Sequence, residues 1–327
     1  MNGTLNVITQ SKRKFGLGVI LPSTRHIQCQ VTFRSKIKSS SNANIRNIHA
    51  STTSTNVQYD QFNTTREALK QVRLNDESYL IEKLTTQSLV IKSIWSFVDS
   101  KSINCWTSVI NHLPRNIFSF TIRYLNNTLA NGTNAIKWGI TNNSSCILCR
   151  EDQTLGHVIG GCNVALEEKR YNWRHDSILL NIYKIVNSNG LKVFLDIDGY
   201  ESPSIVTGEN YRPDLLIVKN NMLLVLELTV GFETNIKKNF DRKAERYNQL
   251  LSDLSSKYQV HYVNLSLGAI GVVGNGNLLV NNLTRFGLNI ETTNFLVKRI
   301  INVCIRTTYF IFCMRNKGWE NPDLMSW

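Results

Sequence analysis

Acidic residues are missing from the first 59 positions of this chain, where eight Lys or Arg occur before the first carboxylate at Asp60. Over all 327 residues, 37 Lys and Arg outnumber 24 Asp and Glu, so the net charge is +13. Such an excess predicts attraction to polyanions, with nucleic acid the commonest partner and anionic membrane the second. Residues 1–60 are predicted to form a basic, largely irregular linker arm that lies on phosphates. A mitochondrial transit peptide or a solvated tail would have the same composition.

The sequence also lacks a secretory h-region and a disulfide framework. Its seven cysteines are odd in number and mostly isolated, which indicates a reducing compartment. Long uninterrupted apolar runs are absent as well, because the most apolar stretch near the C-terminus, 295–314, contains Lys298, Arg299 and Arg306. These charges exclude an ordinary membrane span and predict a buried or half-buried helix.

Four of the cysteine and histidine residues do lie close together. They are Cys146, Cys149, His157 and Cys162, all within seventeen residues. A Cys-x-x-Cys turn directs two thiolates at one point, and the later His and Cys can complete a tetrahedron. Because four ligands saturate the ion, the pattern predicts a closed structural Zn²⁺ site, a zinc knuckle over residues 141–165, that folds this segment. Coincidence in a loop is the alternative.

Two apolar strands, 215–218 and 222–230, are joined by a Lys-Asn-Asn turn and predict an antiparallel hairpin. Pairing across this turn brings Asp214 close to Glu227. Two close carboxylates among buried residues are costly unless a cation compensates them. Oxygen ligation suits Mg²⁺ or Mn²⁺, which can activate water and stabilise a phosphoryl transition state. In the alternative interpretation, Asp214 caps a turn and Glu227 faces solvent from an edge strand.

The periodicity of apolar residues predicts the elements around this hairpin. Residues 61–140 are predicted to be a helical, nucleic-acid-binding linker, with two helices broken near Asn75-Asp76 and a further helix after Pro114. A helix at about 165–186 precedes a strand, the hairpin, a long helix near 236–254 and a strand at 259–265. This α-β-β-β-α-β order predicts a mixed sheet with helices on its faces, an α+β or α/β domain over residues 166–327.

The order of these pieces resembles the restriction-endonuclease-like fold, whose metal site is written PD-(D/E)XK. More closely, the chain is similar to the C-terminal linker, CCHC zinc knuckle and restriction-like endonuclease region of site-specific non-LTR retrotransposon polyproteins. Four motifs match in family order. They are Val109 to Pro114, the CCHC set, Arg174-His175-Asp176, and Arg212-Pro213-Asp214 followed by Glu227.

The sequence departs from the family pattern at three places. The six-residue motif begins with Val109 and has His112 in place of Ala, and Thr229 stands where the generic motif expects a lysine. Lys243 or Arg246 on the following helix could supply that cation, and Lys243 with Tyr247 one turn later fits the helix-borne form of the lysine in this clade. The Tyr-x-Asp-Asp motif of the polymerase is absent, so the resemblance implies a fragment or remnant without the reverse transcriptase.

The resemblance implies a metal-dependent endonuclease that nicks DNA for target-primed reverse transcription. Asp214 and Glu227, with the carbonyl of Leu228 as third ligand, would hold one or two Mg²⁺ or Mn²⁺ ions. Lys243 would neutralise charge on the scissile phosphate or orient the attacking water, and Tyr247 would position Lys243 or touch the phosphate. The alternative is a catalytically inactive, zinc-containing nucleic-acid-binding protein.

Six residues outside the metal sites are expected to contact nucleic acid: Asn111, His112, Arg115, Arg174, His175 and Arg212. DNA is the implied partner; the RNA of the element and a reverse transcriptase on another chain are left open, and no membrane partner is expected. Nuclear localisation is inferred from the partner, with mitochondrial localisation as the alternative.

Overall fold

The computed structural model of the chain describes residues 2–52, 55–95, 98, 100–208, 210–274 and 276–325. The chain forms two compact units, residues 1–87 and residues 88–327. The predicted boundaries at 60, 140 and 165 therefore do not correspond to the compact units. The helical linker is divided at Gln87, and the segment with the zinc ligands belongs to the second unit.

The first unit is helical. Its helices are α1 (Asn2–Thr9), α2 (Pro22–Lys38), α3 (Ala43–Ser51) and α4 (Thr65–Gln87). The prediction of a largely irregular arm over residues 1–60 is therefore wrong. The physical reason is a small apolar core, in which Val31 of α2 packs with Tyr59 and with Ala68 and Val72 of α4.

Helix α4 runs without interruption through the predicted break at Asn75-Asp76. The side chain of Asn75 accepts a hydrogen bond from Gln71 at 2.8 Å and donates one to the hydroxyl of Tyr59 at 3.2 Å, so it is satisfied within a helix. The helix begins with a capping box, in which Thr64 and Glu67 each accept the other's backbone N–H.

A partly buried ion pair joins α2 to the connection before α4. The guanidinium of Arg34 makes a bidentate contact with Asp60, the first carboxylate of the chain, and His49 lies 3.3 Å from the same carboxylate. The hydrogen bond from Arg34 holds the pKa of Asp60 below its usual value, although burial acts in the opposite direction.

Replacing Asp60 by asparagine is expected to destabilise the first unit by about 2 kcal/mol, because the Arg34 guanidinium would lose its charged partner. The contribution of Asp60 is fully present above its unfolded pKa of about 3.9 and is lost as the pH falls through the lower folded value. Urea unfolding of the full chain near neutral pH and near pH 3 would measure it. Glu82→Gln, which changes an exposed carboxylate of α4, is the matched control.

The second unit contains helices before, within and after a small sheet. Those before the sheet are α5 (Leu89–Trp95), α6 (Ser100–Ile110), α7 (Arg115–Leu125), α8 (Gly132–Lys137), α9 (Asn163–Glu167) and α10 (Arg170–Ser188). The remaining elements are β1 (Lys192–Leu195), α11 (Ser204–Thr207), β2 (Leu215–Lys219), β3 (Met222–Gly231), α12 (Ile236–Ser255), β4 (Gln259–Gly268), α13 (Gly276–Arg285) and α14 (Ile290–Cys313).

The four strands form one mixed sheet in the order β1-β2-β3-β4. The first two pairings are antiparallel, and β4 lies parallel to β3 after the crossover through α12. The predicted mixed sheet with helices on its faces is therefore confirmed. The helix predicted over about 165–186 is two helices, because Lys169 adopts a left-handed conformation with φ of 60° between α9 and α10.

Helices cover both faces of the sheet. Helix α12 packs on one face through Tyr247, Leu250 and Leu254. Helix α10 packs against β1 and β3, and α14 packs against α10. Because both faces of the sheet are covered, the sequences of β2 and β3 are nearly continuous apolar runs rather than alternating apolar and polar residues. The predicted helix near the C-terminus is α14, and it is largely buried. Among the described helices, none is long and apolar enough to cross a membrane.

Candidate functional site

The β2–β3 hairpin brings Asp214 and Glu227 together. Lys219 pairs with Met222 across a two-residue turn, in which Asn220 adopts φ of 53°, and Leu215 pairs with Leu226. This register places Asp214 opposite Glu227, and the backbone N–H of Asp214 donates to Glu227 Oε1 at 3.1 Å. The alternative interpretation of a solvent-facing Glu227 is wrong, because this residue is 1% exposed on a central strand.

Strand alternation directs both carboxylates toward α12. Leu216, Leu223 and Val225 pack against α12, and residues two apart on a strand share a face. Asp214 therefore continues the stripe of Leu216, and Glu227 continues the stripe of Val225. The pair lies at the end of the apolar layer between the sheet and this helix.

Lys243 reaches the carboxylate pair from α12. Its ammonium lies 3.0 Å from Asp214 Oδ2, 2.7 Å from Glu227 Oε2 and 2.6 Å from the carbonyl oxygen of Leu228. Thr229, at the position where the family motif expects lysine, is buried on β3. The cation of the site thus comes from the helix rather than from the strand.

His175 reaches the same oxygens from α10. Its Nε2 lies 3.4 Å from Asp214 Oδ2 and 3.3 Å from the carbonyl oxygen of Leu228, and its Nδ1 lies 2.9 Å from Asp176 Oδ1. The sequence prediction assigned His175 to nucleic-acid contact, whereas the fold places it beside the carboxylates. A sequence signal existed, since His175 shares helical spacing with Ile178, Leu179 and Ile182, all buried.

The charges of the site balance without a metal ion. Burial raises the pKa of Glu227 to about 7, and the adjacent Asp214 charge adds to this shift. Burial also acts to raise the pKa of Asp214, but the charges of His175 and Lys243 hold it well below its usual value. Asp214 is therefore the ionised member of the pair, and Glu227 is the member that more readily takes a proton.

Three oxygens converge on the ammonium of Lys243, and their chemistry is that of a hard-cation site. The donors are two carboxylates and one backbone carbonyl, the oxygen types that Mg²⁺ accepts. The sequence predicts that a divalent metal compensates the charges of the two carboxylates. In the structure, Lys243 and His175 supply that positive charge. Metal binding at these oxygens would therefore require the ammonium of Lys243 to move.

Tyr247 and Arg212 lie next to the carboxylate pair. The buried hydroxyl of Tyr247 donates to the backbone carbonyl of Arg212 at 3.2 Å. Burial, followed by the charge of Glu227, raises the pKa of Tyr247. This position does not suit the expected phosphate contact of Tyr247 and leaves it a positioning role. The side chain of Arg212 is 56% exposed and pairs with Asp196 at 2.5 Å.

Arg174 does not lie where a nucleic-acid contact was expected. Its guanidinium is buried, donates to the hydroxyl of Thr308 at 3.3 Å and lies over the ring of Tyr171. The carboxylate of Glu233 is also buried and accepts a 2.6 Å hydrogen bond from the hydroxyl of Tyr124. Burial raises the pKa of this carboxylate, whereas the positive charge of Arg174 interacts favourably with it and acts to lower that pKa. Arg174 is thus a core residue. The predicted nucleic-acid contact of Arg174 is wrong, because α10 packs against both α14 and the sheet.

Asn111, His112 and Arg115 lie at the connection between α6 and α7. Asn111 and His112 follow the end of α6, and Arg115 is the first residue of α7. All three residues are exposed. Their contact with nucleic acid stays a prediction.

Cys146, Cys149, His157 and Cys162 form the second candidate site. Their potential ligand atoms all lie within 4.8 Å of one another, and Cys149 Sγ is 3.2 Å from His157 Nε2. Among the described residues, this is the one group of three or more His, Cys, Asp or Glu side chains close enough to hold a metal ion. Burial lowers the pKa of His157, which favours the neutral imidazole that binds metals. The set is compatible with structural zinc.

Residues 146–162, which contain the four potential ligands and are called the metal-ligand segment, are hydrogen-bonded to the start of α10. The hydroxyl of Tyr171 accepts the backbone N–H of Cys162 at 3.2 Å and donates toward the carbonyls of His157 and Val158. Gly156 packs against the ring of Phe232, where an added Cβ would lie 3.2 Å from a ring carbon. The cluster therefore supports the helix that carries His175.

A scan of protein-family models finds none that matches this chain, and a search of curated proteins finds no similar sequence.

Proposed function

We propose that this chain is a metal-dependent endonuclease that nicks DNA, with a restriction-endonuclease-like (PD-(D/E)XK) core. The observation that carries the proposal is the convergence of Asp214, Glu227 and the Leu228 carbonyl on one cation, within 3.0 Å of each oxygen. The α-β-β-β-α-β order and the placement of both acids on the hairpin are the features that the resemblance implied.

Asp214, Glu227 and the Leu228 carbonyl would hold Mg²⁺ or Mn²⁺, which when bound activates water and neutralises phosphate charge. In the reaction, water adds to phosphorus and the P–O3′ bond breaks, leaving a 3′-hydroxyl and a 5′-phosphate. Lys243, displaced from the oxygens, would lie against the scissile phosphate and neutralise the charge that develops there. His175, held by Asp176, would keep Asp214 and the Leu228 carbonyl in position.

The CCHC cluster is proposed to bind a structural Zn²⁺ ion. Three thiolates and one imidazole match the donors that zinc prefers, and four protein ligands leave no open position for catalysis. Its proposed contribution is to fold the segment between α8 and α10. This role is separate from that of the catalytic Mg²⁺ or Mn²⁺.

The biological setting is proposed from the motif order alone. The four motifs in family order support an origin in a non-LTR retrotransposon, where the nick would supply a 3′-hydroxyl primer. A reverse transcriptase is a proposed partner of the nicking step, and the protein would act on nuclear DNA. The element's RNA is a second proposed partner.

One observation favours a second candidate function, a nucleic-acid-binding protein without turnover. Lys243 and His175 already balance the charges of Asp214 and Glu227, so the site is electrostatically complete without a divalent ion. In this function, the basic surface of the chain binds nucleic acid and the zinc cluster supports the fold.

Incubation of the purified chain with supercoiled plasmid separates the two functions. An endonuclease is expected to produce relaxed circles with Mg²⁺ or Mn²⁺ and none without added divalent metal. A mock purification from the same host lacking the chain controls for contaminating nucleases. Relaxed product that is absent, or equal in the mock preparation, would reject the endonuclease and leave the binding protein.

A further inference from the structure

We propose that an exposed cationic stripe on α12, formed by Lys238, Arg242 and Arg246, binds the phosphodiester backbone beside the Asp214 site. We call it the α12 stripe. The inference rests on the proposed function, because it assigns the substrate-binding surface of the same site. It adds Lys238 and Arg242, which no sequence motif singled out.

The spacing of the three residues places them on one face of the helix. Lys238, Arg242 and Arg246 are four residues apart, so they follow one another along α12, and all three are exposed. Lys243, the residue after Arg242, belongs to the neighbouring face that contacts the sheet. The stripe therefore borders the face from which the site receives its cation.

The stripe has no internal carboxylate partner. Lys237, on another face of α12, pairs with Asp241 at 2.9 Å. Lys238, Arg242 and Arg246 form no ion pair with any residue that the structure describes. Their charges are thus free to attract an external anion.

Tyr247 connects the stripe to the carboxylate pair. The guanidinium of Arg246 lies 5.5 Å from the centre of the Tyr247 ring, and the Tyr247 hydroxyl donates to the carbonyl of Arg212 at 3.2 Å. Arg246 therefore lies beside a buried ring whose hydroxyl is bonded to the backbone of Arg212, and Asp214 follows Arg212 by two residues. A strand that lies along the stripe would reach the site at this end.

The ligand that fits such a surface is a regular polyanion. Cations four residues apart repeat every ~6 Å along a helix, and a nucleic-acid strand presents a phosphate about every 3.4 Å of duplex axis. Lysine and arginine contacts to phosphate position a strand without reading its sequence. The stripe is thus expected to bind DNA or RNA backbone with little sequence preference.

The test adds two different sets of three substitutions to a parent full chain that carries Asp214→Asn, which slows cleavage of the probe. One variant adds Lys238→Gln, Arg242→Gln and Arg246→Gln. The control adds Lys237→Gln, Lys257→Gln and Lys298→Gln, an equal charge change on other exposed lysines. Binding to a fluorescent duplex DNA and to RNA of the same sequence is measured across about 50 to 200 mM salt.

The stripe variant is expected to lower the slope of log affinity against log salt by about three units on duplex DNA, because each lost phosphate contact removes about 0.9. The control triple is expected to keep the slope of the parent. Equal losses in both triples would show a net-charge effect and overturn the proposal, as would an unchanged slope in the stripe variant. A loss seen on RNA alone would assign the stripe to an RNA strand, which supports the phosphodiester ligand.

Circular dichroism and thermal unfolding confirm that each variant is folded before its binding is compared. The failure of this inference is distinguishable from the failure of the proposed function. Plasmid nicking by the wild-type chain together with an unchanged slope would reject the stripe and retain the endonuclease. A lost slope without wild-type nicking would retain the stripe and reject the endonuclease.

Discussion

The Asp214→Asn variant is expected to nick supercoiled plasmid on the order of 10³-fold more slowly than the wild-type chain. Such a loss corresponds to about 4 kcal/mol of transition-state stabilisation. Asparagine keeps the shape of the side chain but removes the negative charge that is held beside Lys243 and His175. The variant would therefore hold a divalent cation poorly and would leave two cations facing Glu227 alone.

The contacts of Asp214 explain why this position has the largest expected effect on activity. Its Oδ2 accepts the backbone N–H of Leu228 at 2.6 Å and the ammonium of Lys243 at 3.0 Å. One oxygen thus fixes the strand, the helix-borne cation and the proposed metal position together. Loss of its charge affects every group that would contact the phosphate.

Asp198→Asn is the matched control, because Asp198 is an exposed carboxylate in the loop after β1. It is expected to retain the wild-type nicking rate. Initial rates of relaxation at saturating Mg²⁺ would measure both variants, with thermal unfolding to verify the fold. Glu227→Gln provides a second test of the same pair if Asp214→Asn does not fold. Wild-type rates in folded Asp214→Asn or Glu227→Gln would contradict the assignment of the site.

The Cys149→Ser variant is expected to lose its bound zinc and to unfold the segment between α8 and α10. Structural zinc in small sites contributes an apparent binding free energy of about 10 kcal/mol or more, most of which is folding free energy. The Sγ of Cys149 contacts the Nε2 of His157, so the substitution removes a thiolate ligand that lies next to another ligand of the ion. The remaining buried thiols could not hold the ion with the same affinity.

The loss of zinc is expected to reach the Asp214 site through α10. Tyr171 near the start of α10 is bonded to the backbone of the metal-ligand segment, and His175 lies one turn later. Plasmid nicking by Cys149→Ser is therefore expected to fall together with its thermal stability. Zinc content by atomic emission, thermal unfolding and nicking should change in parallel.

Cys29→Ser is the matched control, because Cys29 is an exposed free cysteine of the first unit. It is expected to retain one zinc ion per chain and the wild-type unfolding temperature. A wild-type chain that is folded but contains no stoichiometric zinc would refute the zinc assignment. So would a Cys149→Ser variant that unfolds at the wild-type temperature.

The sequence alone determined the local parts of both sites. The short turn and the alternation of β2 and β3 place Asp214 opposite Glu227, because hairpin register depends on a few neighbouring residues. The spacing of the CCHC set likewise brings four ligand atoms together. The element order from α10 to β4 followed from periodicity, which is also a local property.

The tertiary structure decided which residues complete the Asp214 site. His175, and Lys243, which the family resemblance implied, come from α10 and α12, two helices that reach the same oxygens from separate parts of the chain. Their convergence depends on how each helix is rotated on the sheet, and this rotation results from many packing contacts distant in sequence. For the same reason, sequence reasoning placed Arg174 on the surface although it is buried.

The first unit illustrates the same limit. Its basic, acid-free beginning indicated an irregular arm, because composition measures charge but not whether scattered apolar residues can meet. Val31, Tyr59 and Val72 lie far apart in the sequence and form a core only when α2 and α4 pack together. Local geometry thus determined the carboxylate pair and the zinc ligands, whereas long-range packing decided their cationic partner residues and the fold of the basic segment.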